Sequence, residues 1–143
     1  MRKLDSMKPF WAFTLYVLAD TLCAGVGMGV PIFNIGFGFV VGWLSVGRAR
    51  AQTPDLRAVL RKALHYALVT SAWTLLLMWV IWGPFTLKLF DPSADLTKTG
   101  IPLILYNPMA SFIGWQVLMM LISPFLQLLT TVFAATLRLA TEG

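Results

Sequence analysis

A single carboxylate, Asp20, interrupts a stretch that carries no other charged side chain between Pro9 and Gly47. A carboxylate in hydrocarbon is costly unless it is neutralised or partnered, so one placed there marks either chemistry or a closely made polar contact. At ~1.5 Å per residue, Asp20 stands roughly 16 Å along a helix that starts at Pro9. The same arithmetic brings Asn34, Thr74 and Ser123 to a comparable depth, and Gln116 and Gln127 extend the polar series. Asp20, Asn34, Thr74, Gln116, Ser123 and Gln127 are therefore expected to form an intramembrane polar cluster whose carboxylate could take up and release a proton. Two plainer roles compete with this one. Asp20 could lie near the outer headgroups and cap a turn by accepting from the amides of residues 27–30, or it could anchor a partner subunit through a polar contact in the membrane.

Other chemistries lack their residues. Intramembrane aspartyl proteolysis needs two facing carboxylates, and only one aspartate lies in an apolar stretch. His65 is the only histidine, so one chain cannot build a two-histidine haem site or a His-rich metal site, and no HExxH or phosphate loop is present. Cys23 is the only cysteine and reads as a small packing residue. The expectation is a protein that is not an enzyme and carries no cofactor and no metal.

The segment GVGMGVPIFNIGFGFVVGW, residues 25–43, is rich in glycine. It begins like a dinucleotide fingerprint, but Val30 stands where the third glycine belongs. Gly25 and Gly29 are instead spaced four apart, as are Gly38 and Gly42, a spacing that lets a neighbouring helix approach closely. All four are expected to be packing notches.

These residues need a scaffold, and composition names it. Of 143 residues, 58% are hydrophobic and 12% charged, and the mean hydropathy is +0.77, well outside the range of ordinary soluble domains. The fold class expected is all-α, an integral membrane bundle of four transmembrane helices in a single domain, over about 9–28, 32–47, 64–86 and 108–137. The apolar stretch after MRK is taken as a spanning helix and not as a removed leader. A short amphipathic helix over about 54–63 should precede the third span, with Thr53 as its cap and Pro54 in its first turn. Leu56, Val59, Leu60, Ala63 and Leu64 would form its apolar face. Asn107-Pro108 should open the last span and Pro124 should kink it; residues 101–107 could lie along the outer interface.

The basic residues are unevenly shared. Arg2, Lys3 and Lys8 face only Asp5 at the N-terminus, and Arg48, Arg50, Arg57, Arg61 and Lys62 face only Asp55 in the second connection. The outer loop balances Lys88 and Lys98 against Asp91 and Asp95. By the positive-inside rule both termini should be cytoplasmic, in a cell membrane of the bacterial cytoplasmic type. Arg48, Arg50, Arg57, Arg61 and Lys62 should then meet anionic lipid headgroups. No aromatic-interleaved basic groove is present, so nucleic acid is not expected as a partner.

The leading functional expectation is a non-catalytic accessory or assembly subunit that packs against other membrane subunits or itself. In helix count, and in one carboxylate on the first helix, the chain resembles small multidrug transporters, although it shares no motif with them. That resemblance implies the alternative, a small homodimeric proton-coupled transporter that uses Asp20.

Overall fold

The second and third helices begin where proline and aspartate allow. A computed structural model describes residues 8–27 and 30–141. Helix α1 spans Pro9–Val26, α2 Ile32–Arg50, α3 Leu56–Thr86, α4 Pro108–Val117 and α5 Ser123–Thr141. A π-helical turn, Leu118–Ile122, joins α4 to α5 into one continuous rod, Pro108–Thr141. Among the described residues, four helical segments are long and apolar enough to cross a membrane: α1, α2, α3 with its extension to Phe90, and the α4–α5 rod.

Several ends differ from the sequence expectation, each for a local reason. The first span was expected to reach Met28; α1 ends at Val26, and Met28 and Gly29 lie outside the described residues. At that joint the Val30 N–H donates to the Gly27 carbonyl (2.8 Å), and a Cβ at Gly27 would run into the Val30 carbonyl, so the turn requires a bare α-carbon. Helix α2 runs past the expected end at 47 as far as Arg50, because nothing in GRAR interrupts its hydrogen bonds.

The expected separate helix over 54–63 is instead the first part of α3. No Pro or Gly occurs between Leu56 and Trp82, so nothing breaks the helix. Its cap is Asp55 and not Thr53: the Asp55 carboxylate accepts from the Arg57 N–H at 3.1 Å, and Thr53 accepts from the Asp55 N–H at 3.2 Å. The apolar face divides. Val59 and Ala63 pack with Val46, Ala49 and Ala135, whereas Leu56, Leu60 and Leu64 point outward. With 31 residues, α3 is roughly 46 Å long, longer than the ~30 Å hydrocarbon layer.

The last span opens with Asn107, whose side chain accepts from the N–H groups of Met109 (2.9 Å) and Ala110 (3.2 Å), and with Pro108 in the first turn. Residues 101–107 before it are not helical. Pro124 has no N–H, and the irregularity it causes is taken up just before it as the π turn. Ser123 completes that turn, donating from its hydroxyl to the Leu118 carbonyl at 2.7 Å.

Between hydrocarbon and hydrocarbon no hydrophobic force drives helices together, so close packing and interhelical hydrogen bonds must do it. The pair α2–α5 is the most extensive contact in the bundle. A Cβ at Gly38 would meet Thr130, Thr131 and the Gln127 carbonyl, and one at Gly42 would strike the Thr131 backbone. With both side chains absent, Thr130 of α5 comes close enough to donate to the Ile35 carbonyl of α2 at 2.8 Å. By contrast α1 is peripheral and buries one narrow stripe, Ala12, Tyr16, Asp20 and Ala24, at four-residue steps.

At the opposite end from the basic cluster, the loop carboxylates are held by their own turns. Ser93 donates to Asp91 from its hydroxyl (2.6 Å) and its N–H (2.9 Å), and Thr97 donates to Asp95 in the same way at 2.5 and 3.0 Å. Lys98 lies 3.1 Å from Asp95. The Ser93 hydroxyl, then its amide, holds Asp91 below the ordinary carboxylate value; the Thr97 hydroxyl, then Lys98 and the Thr97 amide, does so for Asp95. A depressed folded value means that the turns gain stability above the unfolded pKa and lose it as pH falls through the folded one. In a carboxyl NMR titration both midpoints should lie below ~3.9, and Ser93→Ala should move Asp91 up while leaving Asp95 in place. Ordinary midpoints in the unaltered protein would refute this.

Candidate polar centre of the bundle

Asp20 lies on the buried stripe of α1, and its side chain is fully buried at 0% exposure. One donor reaches it from each of the other three spans. From α2, Asn34 Nδ2 donates to Asp20 Oδ1 at 3.0 Å and also to the Asp20 backbone carbonyl at 2.8 Å. From α3, Thr74 Oγ1 donates to Oδ2 at 2.5 Å, and from α5, Gln127 Nε2 donates to Oδ1 at 2.9 Å. Asn34, Thr74 and Gln127 are each 0% exposed. All three donors are neutral, and among the described residues no basic side chain forms an ion pair with Asp20. The centre therefore holds a buried carboxyl group with hydrogen-bond donors but, among the described residues, no countercharge.

The network leaves some groups unmade. Asn34 Oδ1 and Gln127 Oε1, on the very amides that hold Asp20, have no partner, and neither does Ser71 Oγ, one helical turn from Thr74. Buried polar atoms are paired in the large majority of cases, so unpaired ones clustered on one network ask for a reason. Ser71 was not singled out in the sequence; its i, i+3 relation to Thr74 was the available signal.

The remaining expected members stand elsewhere. Ser123 is buried but spends its hydroxyl on the Leu118 carbonyl of its own rod. Gln116 donates to the Trp82 carbonyl of α3 at 3.4 Å, and its Oε1 is unpaired. Gln116 lies eleven residues before Gln127, roughly 16 Å along the axis, so it cannot reach the level of Asp20. Of the turn that Asp20 was expected to cap, Met28 and Gly29 lie outside the described residues; among the described residues the Asp20 carboxylate accepts from the three side chains and from no amide of the turn.

Of the expected notches, Gly38 and Gly42 seat α5. Gly25 does not pack within the chain: it sits one position past Ala24, rotated off the buried stripe, and a Cβ there would meet nothing within 4 Å. Gly29 lies outside the described residues. The basic residues divide as well. Arg48, Arg61 and Lys62 line a cavity of about 580 Å³ at the end of the bundle where α1 and α3 begin and α2 ends; Arg50 and Arg57 do not line it. A second surface groove is apolar, lined by Phe39, Val40, Trp43, Leu44 and Leu137. No residue of the Asp20 centre lines either one. Arg138, at the end of the polar series on α5, passes over Gly47, donates to the Trp43 carbonyl and lies 5.5 Å from the Trp43 ring. No group of three or more His, Cys, Asp or Glu that could hold a metal is found among the described residues.

The chain matches no known protein family, no curated protein and no solved structure. Fold and centre together define its class: an all-helical, multi-pass membrane chain whose four spans meet at one buried carboxylate.

Proposed function

We propose that the chain is a non-catalytic accessory or assembly subunit that packs against other membrane subunits or a second copy of itself. The observation that carries this reading is the closure of the Asp20 centre. Asn34, Thr74 and Gln127, one from each of the other three spans, each spend a donor on that carboxylate, and no residue of the centre lines either of the two cavities described above, so the polar groups serve to hold the four spans together. Outward, α1 offers a largely apolar face on which Gly25 stands open, the kind of surface another helix can approach closely.

The same reading sets the chain in a cell membrane of the bacterial cytoplasmic type, both termini inside. Supporting it, Lys8, Arg48, Arg50, Arg57, Arg61 and Lys62 gather at one end of the bundle, while the other end balances Lys88 and Lys98 with Asp91 and Asp95. The first turns of α3 would then lie among anionic headgroups, with Arg57 and Arg61 toward them.

Extraction of the protein from its source membrane in mild detergent tests the proposal. It should leave the column with membrane polypeptides or a second copy in fixed ratio, and Gly25→Leu should strip them off without lowering the unfolding midpoint. A monodisperse monomer that brings nothing with it would sink the idea.

A second reading, proton-coupled transport through Asp20, draws on the unpaired Asn34 Oδ1, Gln127 Oε1 and Ser71 Oγ around a carboxylate with no countercharge. Under it, Asp20→Asn in proteoliposomes abolishes pH-driven uptake. Unchanged uptake in that variant would end it.

A further inference from the structure

We propose that the cavity at the basic end of the bundle is a discrete binding site for one anionic phospholipid of the surrounding leaflet. It rests on the reading that this end of the bundle faces an anionic leaflet, and it goes further by assigning three of the basic residues to a built site and two to a solvated rim.

The cavity, about 580 Å³, falls within the ~300–1,000 Å³ of ligand pockets. Its lining joins two chemistries. Phe10 and Phe13 of α1 form an apolar wall, while Arg48 of α2 and Arg61 and Lys62 of α3 supply cationic groups, with no carboxylate among the described lining residues. A free phosphate would meet Arg61 and Lys62 but leave the phenyl wall idle, and an uncharged lipid would use the wall but not these cations. A phosphodiester carrying an acyl chain uses both, in the manner of basic pockets between transmembrane helices that take anionic headgroups.

The cationic groups are also placed. Arg48 is only 5% exposed, so it forms a buried part of the cavity lining. Lys62 Nζ donates to the neutral Gln52 Oε1 at 2.8 Å, which ties the start of α3 to the segment after α2 and leaves the ammonium charge uncancelled by that contact. Arg61 lies beside it on the exposed side of α3, and its planar fork suits bidentate contact with phosphate. Arg50 and Arg57 carry the same charge at the same end but lie outside the cavity, so they serve as internal controls.

The test is native mass spectrometry of the full chain in mild detergent, titrated with phosphatidylglycerol or with phosphatidylcholine of the same acyl chains. One phosphatidylglycerol should stay bound per chain where phosphatidylcholine does not. The double variant Arg61→Gln, Lys62→Gln should weaken that binding by about tenfold or more, and Arg50→Gln, Arg57→Gln by less than about twofold. All four side chains are exposed or lie outside the cores, and equal unfolding midpoints would show that the fold is kept. Equal losses in the two double variants would overturn the built site while leaving a diffuse basic rim intact. No preference for phosphatidylglycerol in the unaltered chain would overturn both. Displacement of the lipid by equimolar oleate would overturn the phospholipid as occupant.

Discussion

Replacing Asp20 by alanine should lower the stability of the bundle in detergent by about 3 kcal/mol, with three donors each losing a bond worth ~1 kcal/mol net. Asn34, Thr74 and Gln127 come from three different helices, and without the carboxylate all three point into the same void. Asp20→Asn should behave quite differently, costing about 1 kcal/mol or less. An asparagine at this position brings a donor as well as an acceptor, and the centre already contains acceptors with nothing to do, Asn34 Oδ1 and Gln127 Oε1. A half-turn of either amide exchanges nitrogen for oxygen at nearly constant shape and satisfies the new donor. Reversible unfolding in mixed micelles, read by tryptophan fluorescence, gives both numbers. If the two substitutions cost the same, the hydrogen bonds to Asp20 are not what joins the four spans. The tolerated asparagine is also what makes the transport test decisive, since it removes the charge while retaining the fold.

The second large effect is expected at Gly42. A side chain there would drive into the Thr131 backbone of α5, which cannot rotate aside as a flexible side chain would. Gly42→Leu should therefore cost about 3 kcal/mol or more, at or beyond the upper end of overpacking effects. The damage should spread. Pushing α5 away from α2 breaks the Thr130 bond to the Ile35 carbonyl and draws Gln127 back from Asp20. Gly25→Leu, on the same GxxxG spacing but with nothing near its α-carbon, should stay within about 0.5 kcal/mol in the isolated chain. Comparable losses at the two positions would mean that α2 and α5 do not pack as described.

The residues of the centre were partly legible before the fold was known. Asp20 stood out because it is the one charge in a long apolar run, and helix rise alone put Asn34 and Thr74 near its depth. Gln127 was visible as a polar residue in an apolar rod, but its bond to Asp20 joins residues 107 positions apart, which no local pattern encodes. Gln116 and Ser123 look the same in sequence and serve other ends. Gln116 sits too far along the axis, and Ser123 is occupied by the π turn that Pro124 imposes.

Composition by itself pointed to a multi-pass membrane protein, to four segments long and apolar enough to span, and to which end is basic, because the bilayer acts as a solvent that sorts whole segments by polarity. It could not say which side of each helix faces inward. In a soluble protein the buried face is apolar and the other polar; here both the lipid and the protein interior are apolar, so Leu18 and Ala12 of α1 carry no label of their side. That is why glycines from two motifs of the same spacing diverged, Gly38 and Gly42 seating α5 while Gly25 meets nothing among the described residues. Only the tertiary structure decided it, through close backbone approach and a few hydrogen bonds between distant residues, the terms that remain when hydrophobicity no longer distinguishes inside from outside.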